Sequence, residues 1–177
     1  MSTETAPRLS LTHIDFAGLY TRHLGRHSQF GINVVHLIAL FGIWFCIYSA
    51  VTQGARLAGL QAWWAPAAGL ALAYLAAVAS NASFRAAVAT AAFLALFLAC
   101  VLAVPALPAW SIPAFLAVIP AFYKLQSWSH RVWVEAADMT EFNRRFPPGR
   151  ELNLILLLFE VPICLEYLCF RRKDWRR

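Results

Sequence analysis

Four long apolar runs limit what this chain can become: about Ile32 to Val51, Trp63 to Ala79, Phe84 to Val104 and Trp110 to Trp128. A helix of roughly 20 apolar residues crosses the hydrocarbon core while satisfying its own backbone groups, which lipid cannot do for it. Within 177 residues, four such segments leave no room for a separate soluble domain of ordinary size. The composition agrees, since 60% of residues are hydrophobic and 14% charged, well away from soluble averages. The expected class is all-α, a polytopic membrane bundle of four full spans.

A fifth apolar segment, Leu152 to Phe170, is interrupted by Glu160, Pro162 and Glu166. Arg22 and Arg26 precede the first run, and Lys124, Arg131, Arg144, Arg145 and Arg150 end or follow the fourth, so the positive-inside rule sets both flanks in the cytoplasm. Four crossings satisfy that rule. Trp63, Trp64 and Trp110 then form an outer aromatic belt, and Trp128 and Trp133 an inner one. Five crossings would send the basic tail RRKDWRR outside, so the fifth segment is expected to be re-entrant or partly interfacial, broken at Pro162; a tilted fifth span is the alternative. The organisation expected is a cytoplasmic amphipathic segment (1–31), a four-span bundle (32–128), a polar cytoplasmic helix (129–151) and an apolar segment with its basic tail (152–177).

The first sustained apolar run begins near Ile32, with no h-region ahead of it, so no cleaved secretory signal is expected. Cys46, Cys100, Cys164 and Cys169 lie in apolar runs without a CxxC pair and read as small core hydrophobes. The net charge of +6 lies mostly beside the apolar runs or at the C-terminus, where it meets lipid headgroups and is no sign of nucleic-acid binding. Alanine-rich runs, Ala65 to Ala79 and Ala86 to Ala103, allow close helix packing or a slot for an acyl chain. High alanine content favours a bacterial plasma membrane over a eukaryotic internal one.

Histidine is a poor passenger in hydrocarbon, yet YTRHLGRHSQFGINVVH places three of the five histidines at the entry to the first run. Four crossings separate His36 from His130, so both belong at one face. Thr12 followed by Asp15 resembles a capping box that opens a helix near His13, itself read as a surface residue. On that helix Phe16, Leu19, Tyr20, His23, Leu24 and His27 share one side, and His23 and His27 at i, i+4 offer two nitrogens to one ion. The SQFG segment breaks the helix before Asn33 and His36, folding His23 and His27 over His36. His23, His27, His36 and His130 are therefore the candidate metal ligands, because burial favours the neutral imidazole that binds metal. The competing reading is a set of interfacial rings bonded to water or backbone.

Val132 to Phe146 reads as a polar helix stopped by PPG, with Glu135, Asp138 and Glu141 along one side. Carboxylates beside histidines complete a ligand set that suits iron or zinc, and Glu135 is the best placed of them; a solvated stripe paired with arginines is the alternative. Glu160, an ionisable residue inside an apolar segment, is a candidate partner for a histidine N–H or else for an arginine.

Together these residues resemble the small integral-membrane family of iron-dependent 2-hydroxy fatty acid dioxygenases of fatty-acid α-oxidation. The matching positions are Tyr20, His23 or His27, Asn33, His36, Gln126, His130, Glu135, Asn153 and Pro162. Asn33 and His36 stand three apart where the family has four, and FGIW stands where the family has Gly-x-Pro. The resemblance implies Fe2+ held by histidines, O2 as co-substrate and a 2-hydroxy acyl chain shortened by one carbon, with His36, His130 and Glu135 as the catalytic group. Tyr20, Arg22, Asn33 and Arg131 are expected around the substrate; apart from the resemblance, and on charge alone, Arg22, Arg26 or Arg131 is expected to hold its carboxylate. A haem protein and a non-catalytic module that binds lipid or a partner are the competing classes; a transporter is disfavoured, as no charged pair lies deep in the four runs.

Overall fold

A computed structural model describes residues 14–133, 140 and 150–175. Among these the chain is helical, with no strand. Helix α1 (Phe16–Leu24) starts at Asp15, whose carboxylate accepts the Gly18 N–H at 2.8 Å. The expected cap, Thr12, lies outside the described residues with His13; Asp15 takes the role because its short side chain reaches an orphan N–H of the first turn. The chain then breaks at 25–29, with Gln29 extended (φ −89°, ψ 141°), and α2 (Phe30–Leu57) begins.

Helix α2 runs beyond the apolar stretch because its polar end is bonded. Gln53, fully buried, donates to the Pro105 carbonyl at 2.8 Å and accepts the Leu107 N–H at 3.0 Å. Gly59, at φ 73°, turns the chain at its end, where the Leu60 N–H returns to the Ala55 carbonyl at 3.0 Å. Helices α3 (Ala65–Ala79), α4 (Phe84–Leu102), α5 (Ser111–Val132) and α6 (Arg150–Phe170) follow. Val132 closes α5, where sequence had it open a polar helix; residues 134–139 and 141–149, with Glu135, Asp138 and Glu141, lie outside the described residues.

Helix α2 is the hub, packing against α3, α4, α5 and α6. Gly42 admits the Phe122 ring of α5, and Gly31 admits the Trp133 ring, so α5 runs antiparallel and close along it. Ala67, Ala71 and Ala86 are buried, so the alanine-rich runs pack through small residues. Phe41, Trp44, Tyr48, Phe93 and Phe97 interlock edge to face between α2 and α4. Of the cysteines, Cys46 and Cys164 are buried as expected, but Cys100 and Cys169 are exposed on outward helix faces.

Among the described residues two helices, α2 and α4, are long and apolar enough to cross a membrane, and α3 is a shorter apolar helix. The bundle has two ends. Gln53, Pro105 and Leu107 meet at one; Ile14, Ser28, Asn81 and Trp133 lie at the other, as the Ile14 N–H bond to Asn81 and the Gly31–Trp133 contact show.

Helix α6 stays near this second end. Phe159 meets Phe16, and Tyr167 reaches the Ser28 carbonyl. The basic turn beyond it returns to α1, where the Tyr20 hydroxyl donates to Asp174 at 2.9 Å. Contrary to expectation, α6 does not break at Pro162. Proline cannot donate to the carbonyl four residues back, at Leu158, and the Tyr74 hydroxyl donates to that carbonyl instead at 2.8 Å. Tyr74→Phe should therefore strand a part-buried carbonyl and lower stability by about 1 kcal/mol, read as an earlier unfolding midpoint in detergent.

Candidate metal centre

His27, His36 and His130 form one group whose potential ligand nitrogens all lie within 4.8 Å of one another. Each comes from a different part of the fold. His36 is carried on the first turns of α2 and is essentially inaccessible. His130 stands near the end of α5, brought opposite His36 by the antiparallel pairing, with ring centroids 4.9 Å apart. His27 belongs to the break between α1 and α2, and its ring is 4.6 Å from that of His36 and 4.9 Å from that of His130. Its Nε2 faces the Nε2 of His130 at 3.5 Å.

The i, i+4 relation of His23 and His27 survives although α1 ends at Leu24, because the His27 N–H still bonds to the His23 carbonyl at 2.8 Å. Their rings stack at 4.4 Å. His23 nevertheless stands beside the trio and outside it. Asn33 donates its amide to the carbonyls of His27 and Gln29, at 2.6 and 2.9 Å, which turns its Oδ1 toward His23 Nε2 at 2.6 Å. That nitrogen must carry the proton.

Glu160 determines the tautomer of His36. Its Oε1 lies 2.6 Å from His36 Nδ1 and accepts the Gln126 amide at 3.0 Å. A carboxylate only accepts, so His36 donates from Nδ1 and keeps a lone pair on Nε2. That Nε2 is buried and has no hydrogen-bond partner. An orphaned buried acceptor among two further imidazoles is the arrangement expected where a cation belongs.

A cavity of about 130 Å3 opens beside the trio, lined by Arg22, His23, Arg26, His27, Leu156, Glu160 and Ile163. Arg22 thus lines the cavity beside the trio, while Arg131 is exposed and does not line it. Tyr20 bonds to Asp174 and lines a separate cleft with Asp15, Glu166 and Arg171. Asn33 holds the His27 loop and does not line the cavity either. Asn153 lies in α6, and Glu135 outside the described residues. Leu156, Ile163 and Tyr167 were not foreseen; each stands in an apolar run with nothing local to distinguish it.

No known protein family, curated protein or solved structure matches the chain. The site must be judged by its chemistry.

Burial dominates the electrostatics of the loop. It holds His23 down to about 4 against the pull of its Asn33 hydrogen bond, and it holds His27 well below its ordinary value, helped by the neighbouring imidazoles. Both rings are thus neutral at pH 7 and able to offer lone pairs. The unfolded chain protonates these imidazoles near pH 6.5, whereas the folded chain resists down to about 4 at His23. Stability from this source is complete above 6.5 and is lost as pH falls toward 4. The metal-free protein should lose unfolding temperature across that window, and His23→Gln should flatten the pH dependence, checked by thermal scans at fixed ionic strength.

Proposed function

We propose that this protein is a multi-pass membrane metalloprotein that binds Fe2+ through His27, His36 and His130 and oxygenates a 2-hydroxy fatty acid or related lipid at the cytoplasmic interface. The observation that carries the reading is the lone pair of His36 Nε2, buried without a partner while Glu160 holds the opposite nitrogen. Three imidazoles suit iron or zinc, and the resemblance to the 2-hydroxy fatty acid dioxygenases favours iron. Bound ferrous iron would supply the electrons through which O2 attacks an organic substrate.

The chain's own residues do the rest. Glu160 and Gln126 orient His36. Arg22 and Arg26 line the cavity on one side and supply positive charge for a carboxylate. Leu156 and Ile163 line it with apolar surface for the first carbons of a chain. Burial keeps bulk water from His36. The mutual contact of the three rings leaves no slot for a porphyrin between any two, which counts against haem.

Membrane insertion is supported by the outward apolar residues of the long helices, among them Ile38, Ile47, Leu72, Val88, Leu96 and Leu116. In this reading α2 to α5 cross, and α6 lies obliquely in the cytoplasmic half with its basic tail on the same side. Single cysteines introduced into a cysteine-free background check the topology: position 81 should be labelled from the cytoplasm and position 107 from outside. Labelling of both from one side would refute four crossings.

Elemental analysis of detergent-purified protein grown with iron should find about one iron per chain. His36→Ala or His130→Ala should abolish it, and Glu160→Ala should weaken metal affinity by about 10- to 100-fold. Wild-type protein that folds and takes up neither iron nor zinc would overturn the proposal.

A further inference from the structure

The break that presents His27 has little secondary structure of its own. Beyond the backbone bond from the His27 N–H to His23, side chains order it: three successive backbone carbonyls, those of His27, Ser28 and Gln29, each accept a side-chain hydrogen bond. Asn33 supplies two of them, to His27 and Gln29. The third comes from α6, where the Tyr167 hydroxyl donates to Ser28 at 2.5 Å across 139 residues of sequence. Tyr167 and Ser28 are both buried, so water cannot replace that donor. Tyr167 is itself fixed, since its backbone carbonyl accepts the Trp175 indole N–H at 3.0 Å, and the Trp175 ring packs 4.6 Å from Phe30 at the start of α2.

We infer that Tyr167 is a positioning residue for His27: its hydroxyl sets the path of the 27–29 backbone and so keeps the His27 ring stacked on His23 and facing His130. The inference concerns a loop present with or without an ion, and only its effect on metal affinity rests on the metal reading above. His36 and His130, by contrast, are carried on long helices and need no such tether.

Tyr167→Phe removes one oxygen and retains the buried ring. Tyr74→Phe is its control, because it also deprives a carbonyl of a tyrosine hydroxyl on α6 but at Leu158, away from the loop. The first measurement uses metal-free protein: diethylpyrocarbonate modification of each histidine, followed by mass spectrometry. His27 is expected to react at least about tenfold faster in Tyr167→Phe, with His36 unchanged and both at wild-type rates in Tyr74→Phe. The second is Co2+ titration, in which Tyr167→Phe should weaken binding by about 10- to 100-fold and alter the visible Co2+ spectrum, while Tyr74→Phe leaves both intact. Wild-type His27 reactivity in Tyr167→Phe overturns the inference, as does equal acceleration in both variants, which would mark a general loosening. If the wild-type protein takes up no Co2+, the metal reading is what suffers, and histidine reactivity alone still decides the role of Tyr167.

Discussion

A 2.6 Å hydrogen bond between Glu160 and Nδ1 of His36 joins residues 124 apart in sequence at the centre of the site. An ionisable side chain in so apolar a segment is tolerated only when its acceptors are filled. Glu160 receives His36 and Gln126, and in doing so locks α6, α2 and α5 into one arrangement. The same bond leaves His36 Nε2 as an acceptor with nothing to accept. Structure and candidate chemistry therefore have a common origin: satisfying the carboxylate creates the lone pair that a cation would take.

The rest of the polar inventory follows the same rule. Glu166 accepts from Ser83 and Arg171, each at 3.0 Å, and so anchors the far part of α6 to the start of α4. Gln53 closes the opposite end of the bundle by bonding to the loop at 105–107. Proline at 162 frees a carbonyl that Tyr74 captures. In a chain so poor in charge, these pairings of Glu160, Glu166, Gln53 and Tyr74 with groups in other elements, more than the non-directional apolar contacts, define how the helices are registered.

Much of this was legible beforehand. Periodicity and length located the helices, because hydrophobic runs and breakers act locally. A break in the SQFG segment, the i, i+4 relation of His23 with His27, and the shared end of His36 and His130 all followed from spacing and from the parity of the runs, although the break ends at Gln29 and leaves Phe30 and Gly31 in α2. Other features were not legible. Helix α6 passed through Pro162 unbroken because Tyr74, far away in sequence, supplied the missing donor. Sequence also grouped His23 with the other three, whereas Asn33 claims its Nε2.

By itself, the sequence determined that the described residues are helical and that His23, His27, His36 and His130 gather at one end, since hydrophobic length and helical period depend only on residues near one another along the chain. Tertiary structure decided which three imidazoles converge, which nitrogen of His36 is left open, and that Tyr167 holds the His27 loop. Those outcomes depend on ring orientations and hydrogen bonds between residues more than a hundred positions apart, which no local pattern encodes.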